Sequence, residues 1–524
     1  MQNHPNRLWI TVLLLGLAFD LLFWKKAPGI SFAIFVALCL MAGFLLLWRE
    51  GLRPARNSLW LILPIIFLAV MTFIRAESMT TLLNYTLTLF LMAVLALTFL
   101  GGRWLAYSLG DYIAGILRLT GSTLGLGMSF LGERRRQQRE TGAKGCLYRV
   151  WPILRGILMA LPIVAIFAAL LASADLVFAQ RLDDFIALFR LEKLPEYILR
   201  GVLILVSAYF LAGVFLHAAT KSKEEKLLGV EKPLLQPFLG FAETATVLGS
   251  VMLLFAAFVA IQVQYLFGGQ ANITLEGYTY SEYARRGFSE LVTVAFFSLL
   301  LLLGLSAITR RDTAREGKAF SALGGGLVLL VLVILASAFQ RLLLYEEAYG
   351  FSRLRTYTHV FMIWLGLLLA AVAALEILRR RRAFALVAVL AALGFIVSLN
   401  AVNVDAFIVQ QNVARTMRGE ELDRDYLTTL SEDAVPALVS AYGTPSLSTE
   451  SREALAVTLL CRSVYRQEES LPWQSFQLSR WKAGRAMRTL EADLKAYVVD
   501  DGDWPTTVIS PQGQEYECLG GWID

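Results

Sequence analysis

The chain has 524 residues, of which 57% are hydrophobic and only 17% are charged. Soluble domains carry about 25% charged residues, so this is not the composition of a soluble domain. The net charge is +6, but from Val404 onward there are 11 Lys/Arg against 19 Asp/Glu, so the tail is acidic and the rest is basic. Membrane topology explains the positive charge better than nucleic acid does, and we expect no nucleic-acid partner.

Apolar runs recur through the first 400 positions, and each is long enough to cross a lipid bilayer. A segment inside lipid must satisfy its own backbone hydrogen bonds, so these runs are predicted to be α-helices. The 11 predicted spans are 8–24, 29–48, 57–74, 79–100, 150–173, 198–219, 237–266, 287–308, 320–340, 357–378 and 383–400. The predicted fold class is an all-α polytopic membrane protein with a small, mainly helical soluble C-terminal domain.

Two domains follow from this pattern: a transmembrane helical bundle over 1–403 and a soluble acidic domain over 404–524. Within the bundle, 101–149 is a predicted cytoplasmic loop, and its part 104–131 is typical of an interfacial or re-entrant helix. The segment 174–196 is amphipathic and is predicted on the outer side. It either lies on the membrane surface or packs against the bundle.

The positive-inside rule gives the orientation. With the N-terminus in the cytoplasm, the inner loops hold 24 Lys/Arg and the outer loops of the bundle hold 12. An odd number of spans then places the C-terminal domain in the periplasm or the extracellular space. An oxidising compartment would allow Cys461 and Cys518 to form a disulfide, but the sequence does not show whether the two thiols meet.

Motifs of known enzymes are nearly absent from the sequence. HExxH, CxxC, the phosphate-binding loop and GxSxG do not occur, and the three histidines are far apart. We therefore expect no catalytic residue, no metal site and no cofactor.

The predicted topology brings three polar, aromatic-rich segments to the outer face: 262–290, 341–364 and 400–415. Charges near helix ends are costly unless they are paired or hydrated. The candidate residues of this outer-face cluster are Arg285, Arg286, Glu290, Arg341, Glu346, Glu347, Arg353, Arg355 and Asp405. The two arginines of 262–290 are expected to pair with the glutamates of 341–364 or with the aspartate, and Glu290 is expected to pair with an arginine of 341–364. The cluster either binds a ligand or ion, or fixes helix ends and seats the tail. Asp20 is a further candidate acid near the outer end of the first span.

Distinctive motifs are YLFGG at 265–269, YSEYARRGFSEL at 280–291 and RLLLYEEAYGFSRLRTYTHVFMIWL at 341–365. On these motifs the chain resembles a bacterial family of inner-membrane proteins known as domain of unknown function 4153 or 4173. The resemblance covers about 170 to 430. It implies a polytopic bacterial membrane protein, but it implies no activity, so no catalytic residue is carried over.

Three functions stay open on the sequence. The first is envelope sensing, scaffolding or assembly without catalysis, in which the exported domain binds an envelope protein and the bundle contacts lipid. The second is a secondary transporter with an outward-facing polar site, although no inverted repeat is visible. The third is an enzyme acting on a lipid-linked substrate, which needs a carboxylate or histidine cluster at a lateral opening.

The topology predicts the outcome of reporter fusions. A reporter joined after residue 140 should give a cytoplasmic signal, and one joined after residue 430 should give an exported signal. Alkaline phosphatase and a fluorescent protein that matures only in the cytoplasm report the two compartments. If both fusions report the same side, the predicted topology is wrong.

Overall fold

The computed structural model describes residues 5–140, 193–223, 227–228, 236–267, 288–465, 471–500 and 505–518, with scattered residues between 156 and 181. The helices up to the tail are α1 (Pro5–Phe23), α2 (Ile30–Arg49), α3 (Arg56–Leu59), α4 (Ile62–Ile74), α5 (Ser78–Thr98), α6 (Leu109–Glu140), α7 (Leu194–Thr220), α8 (Phe241–Phe267), α9 (Phe288–Ile308), α10 (Ala314–Tyr349), α11 (Arg353–Ile377) and α12 (Phe384–Val402). The tail contains α13 (Val404–Thr416), α14 (Arg424–Thr428), α15 (Val435–Tyr442), α16 (Thr449–Tyr465), α17 (Leu478–Thr489), α18 (Glu491–Leu494), β1 (Val498–Asp500), β2 (Thr507–Ile509) and β3 (Glu515–Glu517). Short 3-10 turns lie at Arg103–Ala106, Arg381–Ala383 and Trp473–Ser475.

Within the described ranges, ten helical stretches are long and apolar enough to cross a membrane. They begin at Asn6–Phe23 and end at Phe384–Val402, with α3 and α4 joined in one stretch. The chain is therefore an all-α, multi-pass membrane protein, which confirms the predicted fold class. Ten of the 11 predicted spans have a counterpart here, and the remaining one, 150–173, lies largely outside the described residues.

Contacts between loops divide the helix ends between two faces of the bundle. On one of them, the tail face, the backbone N–H of Ile30 donates to the carbonyl of Phe476, at 2.9 Å. This tail carbonyl therefore satisfies one of the free N–H groups at the start of α2. The opposite face carries Arg310, Arg311, Arg379, Arg380 and Arg382, and we call it the arginine-rich face. There Arg310 donates through Nε to the carbonyl of Pro237, at 2.8 Å.

The bundle consists of two helix groups joined by α12. Helices α1, α2, α4, α5 and α7 pack together in the first group, and α8 to α11 pack together in the second. Helix α12 contacts α5 on one side and α11 on the other. Fully buried side chains such as Phe320 and Val331 fill the second group. The exposed leucines and isoleucines on the outside of both groups suit contact with lipid.

The predicted loop 101–149 contains α6, which packs along α7. Gly213 of α7 allows this close approach, because a Cβ there would lie 2.5 Å from the Cα of Thr123. The hydroxyl of Ser122 and Nδ1 of the buried His217 lie 2.6 Å apart in the same contact. The first part of α6 therefore belongs to the bundle wall. The predicted amphipathic segment 174–196 lies mostly outside the described residues.

The chain bends sharply where the bundle ends and the tail begins. Asn403 separates α12 from α13 and adopts the left-handed conformation, with φ 54° and ψ 74°. Asparagine tolerates this conformation better than most residues. Beyond the bend, α13 to α18 enclose a core that includes Ile408, Leu438 and Leu455, and β1, β2 and β3 form an antiparallel sheet. Complete burial of each such side chain contributes about 1.5–3 kcal/mol.

The contact between α6 and α7 can be tested with one methyl group. Gly213→Ala should destabilise the protein by about 1–3 kcal/mol, because the added carbon overlaps backbone atoms that cannot move aside. Gly201→Ala is the matched control on the same helix, since nothing lies within 4 Å of its added Cβ. Unfolding midpoints in detergent measure both effects. Equal midpoints for the two variants would contradict the close packing.

Candidate functional site

A buried ion pair joins the bundle to the tail. Arg353, the first residue of α11, donates through Nε and Nη2 to the two carboxylate oxygens of Asp405, both at 2.8 Å. The side chain of Asp405 is fully buried, and Arg353 keeps about a quarter of its side chain exposed. The backbone N–H of Ser431 donates to the same carboxylate at 2.6 Å. Asp405 lies in the first turn of α13, where the helix dipole also favours a negative charge.

A second buried carboxylate, that of Asp433, joins the tail to the turn between α4 and α5. Its Oδ2 accepts hydrogen bonds from the backbone N–H groups of Ala76 at 2.7 Å and Glu77 at 3.1 Å. Its Oδ1 accepts from the hydroxyl of Ser479 at 2.7 Å and lies 3.8 Å from Nη1 of Arg75. Two tail segments and one bundle turn therefore converge on a single carboxylate.

The turn that Asp433 holds is itself fixed within the bundle. Glu77 caps α5, because its carboxylate accepts from the backbone N–H groups of the second and third helical residues, at 2.9 and 2.7 Å. Arg75 donates through Nε to the carbonyl of Asn400, at 3.0 Å. The side-chain amides of Asn84 and Asn400 donate to each other's carbonyl oxygens, at 3.1 and 2.9 Å. We call Arg75, Glu77, Arg353, Asp405 and Asp433 the polar seam.

Burial determines the electrostatics on the tail side of the polar seam. It raises the pKa of Asp433, while the donors around that carboxyl and Arg75 act in the opposite direction. Burial also raises the pKa of Tyr426, whose phenol is neutral near pH 7 even at the ordinary pKa of tyrosine. The neutral oxygen accepts the backbone N–H of Arg353 at 2.7 Å and thereby satisfies a free donor at the start of α11.

Beside the polar seam, side chains of α13 form hydrogen bonds with the turn between α10 and α11. Asn412 accepts the backbone N–H of Phe351 at 2.7 Å and donates to its carbonyl at 3.0 Å. Arg415 donates to the carbonyl of Glu347 from Nε at 3.2 Å and from Nη2 at 3.0 Å. Gly350 occupies this turn with φ 80°, and a Cβ there would lie 2.7 Å from Arg415. Only glycine suits both the conformation and the space.

The structure distributes the predicted outer-face cluster over separate contacts. Glu346 is buried and lies 3.3 Å from Nδ1 of His359. Glu290 accepts from the hydroxyl of Ser289 at 2.8 Å, and Arg341 donates to the side chain of Gln262, also at 2.8 Å. Arg355 donates to the carbonyl of Gly350 and lies over the ring of Tyr345, and Glu347 is exposed. Arg285 and Arg286 lie outside the described residues.

Two other predicted residues also have partners. Nε of Arg200 donates to the carboxylate of Asp20 at 3.0 Å, and the two side chains form an ion pair between α1 and α7. Cys461 and Cys518 form a disulfide with their Cα atoms 5.3 Å apart, which ties α16 to the end of the chain beyond β3.

The polar seam contains residues that the sequence did not single out. Arg75, Glu77 and Asp433 were not candidates, because a charged turn between two spans and an acid before a tail helix are both common. The usable signal was the pattern Arg-Ala-Glu at 75–77 directly between two apolar runs. Charge placed there is costly unless it is paired or hydrated.

Together these observations define a multi-pass membrane protein whose C-terminal tail is fixed to its helical bundle by buried carboxylates. The model of the DUF4153 family, a domain of unknown function, matches residues 62–441. The chain belongs to this family, which confirms the predicted resemblance and selects between its two alternatives. The matched range includes every residue of the polar seam. No curated protein and no solved structure matches the chain.

The buried ion pair gives a direct prediction. Asp405→Asn should destabilise the protein by about 3–5 kcal/mol, because it leaves the guanidinium of Arg353 without its buried counter-charge. The double variant Arg353→Met with Asp405→Leu should lose less than the sum of the single variants. Denaturant titration in detergent measures these free energies of unfolding.

The control is the pair Arg424–Asp425, whose atoms are 2.6 Å apart and whose aspartate, unlike Asp405, keeps more than half of its side chain exposed. Asp425→Asn should cost at most about 1 kcal/mol. A loss as large as that of Asp405→Asn would contradict the special role of the buried pair.

Proposed function

We propose that this protein is a non-enzymatic scaffold of the bacterial inner membrane, which presents its C-terminal tail on the outer side to an envelope protein. The observation that carries the proposal is the polar seam. Its two buried aspartates hold the tail against two separate turns of the bundle, the one before α5 and the one before α11. A tail attached in this way keeps one orientation relative to the membrane, as a scaffold or a sensor requires.

A second contact supports a fixed tail. The 3-10 turn at Trp473–Ser475 lies over the start of α2, where the hydroxyl of Ser475 donates to the carbonyl of Ala27 at 2.7 Å. Gly29 is part of this contact, because a Cβ there would lie 2.6 Å from the carbonyl oxygen of Phe476. The tail thus contacts both helix groups of the bundle, at α2 and at α11.

The orientation of the proposal has two independent supports. The arginine-rich face carries the predicted cytoplasmic loops, in agreement with the positive-inside rule. The disulfide between Cys461 and Cys518 lies in the tail, and disulfides persist in oxidising compartments such as the periplasm. Both support a tail outside the cytoplasm.

The transporter hypothesis would be favoured by a solvent-filled cavity that reaches the bilayer midplane and is lined by Asp20, Glu290 or Arg353. Asp20 is neutralised by Arg200, and Arg353 is neutralised by Asp405. An ion or substrate that used either residue would first have to break a short ion pair. The enzyme hypothesis needs a carboxylate or histidine cluster at a lateral opening, and the described pair closest to this chemistry, Glu346 with His359, is buried.

The proposal is tested by loosening the tail without removing it. Asp433→Asn should weaken the hydrogen bonds to Ala76 and Glu77, because it replaces a charged acceptor with a neutral one. Hydrogen exchange of residues 471–479 should become about tenfold faster, which corresponds to about 1.4 kcal/mol. Cells whose only copy of the protein is this variant should then grow under envelope stress like cells that lack the protein.

Asp425→Asn is the matched control, since it removes the same charge from an exposed part of the tail. It should leave both hydrogen exchange and growth unchanged. Normal growth with a loosened tail would overturn the scaffold proposal. A variant with normal abundance and a seated tail that loses uptake of a solute in proteoliposomes would support the transporter instead.

A further inference from the structure

A cavity of about 810 Å³ opens on the arginine-rich face, far from the polar seam, where α10 begins and α11 ends. Its walls come from the first turns of α10, the last turn of α11, the connection to α12 and the 3-10 turn at Arg103–Ala106. Its charged lining residues are Arg311, Asp312, Glu376, Arg379, Arg380 and Arg382. Four arginines against two acids give the lining a net charge of +2.

One of the two acids is already neutralised. Arg311 forms an ion pair with Glu376, and only 8% of each side chain is exposed. The hydroxyl of Ser306 also donates to this glutamate, at 2.8 Å, and the guanidinium of Arg311 lies 3.4 Å from the ring centre of Phe320. Even so, Nε of Arg311 is buried and has no hydrogen-bond acceptor among the described residues. Arg311 therefore belongs to the buried wall of the cavity, and its charge is balanced by Glu376.

Two further arginines add unneutralised charge. Arg379 and Arg380 are exposed, and no carboxylate of the described part of the chain lies within ion-pair distance of either guanidinium. Arg382 differs from them because it donates to the carbonyl of Leu228, at 3.0 Å. The positive charge at the mouth of the cavity is therefore available to a bound anion.

The backbone at Arg379 is unusual for an arginine. The residue follows the end of α11 in the left-handed conformation, with φ 57°, a position that glycine usually occupies. The N–H of Arg380 donates to the carbonyl of Leu375 at 2.8 Å, which completes the helix-ending turn. Glycine would adopt this backbone conformation with less strain. We therefore attribute the presence of an arginine at this position to its charged side chain.

Apolar side chains adjoin the charged mouth. Ile377 and Leu378 immediately precede Arg379 and are 63% and 65% exposed, and Leu105 in the cavity wall is 39% exposed. A soluble anion gains nothing from contact with these apolar side chains, whereas the acyl chains of a lipid pack against them. Basic pockets between membrane helices on the cytoplasmic side are known to hold anionic headgroups.

We propose that this cavity binds a phosphate group, and that the adjoining apolar surface favours the headgroup of an anionic phospholipid as its source. Arg379 and Arg380 attract the phosphate at the mouth, and the net positive charge of the lining favours an anion within the cavity. The assignment does not depend on the function of the tail.

The test uses the full-length protein in phosphatidylcholine nanodiscs, into which phosphatidylglycerol is titrated. A bound lipid should raise the thermal unfolding midpoint as its fraction increases. In the double variant Arg379→Gly with Arg380→Gln, the apparent affinity should fall about fivefold for each arginine removed. Because glycine suits the turn at 379, this variant should unfold in pure phosphatidylcholine at the same midpoint as the wild type or above it.

The matched control is Arg53→Gly with Arg56→Gln, which removes the same charge from exposed positions on the same face and outside the cavity. It should keep the response to phosphatidylglycerol. A second arm adds inorganic phosphate to the protein in phosphatidylcholine nanodiscs. Stabilisation by phosphate alone would assign the site to a soluble phosphate source. If neither ligand stabilises the protein, or if the cavity variant responds like the wild type, the proposal is overturned.

Discussion

The buried carboxylate of Asp405 is the constraint on which the arrangement of bundle and tail depends. A fully buried charge is costly unless a counter-charge and hydrogen-bond donors surround it. Arg353 supplies the counter-charge from the start of α11, and Ser431 supplies a backbone donor from the tail. The bend at Asn403 brings the aspartate between these two partners. The carboxylate of Asp405 therefore needs both partners, because it can become hydrated only if the tail separates from the bundle.

The arginines on the two faces of the bundle differ in how often a carboxylate pairs with them. On the tail face the polar seam brings tail aspartates to bundle arginines, as in the approach of Asp433 to Arg75. The acidic tail and the basic bundle are thus complementary where they meet. On the arginine-rich face, Arg379 and Arg380 remain exposed beside apolar residues. The surplus of positive charge there suits an interface with anionic lipid as well as the positive-inside rule.

The sequence predicted the membrane-spanning helices well, because length and apolar composition are local properties. It also pointed to Arg353 and Asp405, but it did not pair them, since they are 52 residues apart and several other charges were equally plausible partners. The contact between Asp433 and Ala76, 357 residues apart, left only the charged turn at 75–77 as a local signal, and that turn does not indicate its partner. Helix α6 was predicted only as an interfacial or re-entrant helix within a loop. The close approach of α6 to α7 depends on Gly213 of α7 meeting Thr123, a contact between distant residues that hydropathy does not measure.

A polar seam beside a membrane has a consequence that an apolar contact would not have. An apolar contact of the same area would be non-directional, and near the bilayer the tail could exchange it for lipid at little cost. Hydrogen bonds to the carboxylates of Asp405 and Asp433 are directional and have no substitute in hydrocarbon. Replacing buried ion pairs with apolar residues often leaves stability unchanged or raises it, so the advantage of this seam lies in position. It selects one orientation of the tail and excludes the alternatives that lipid would otherwise permit.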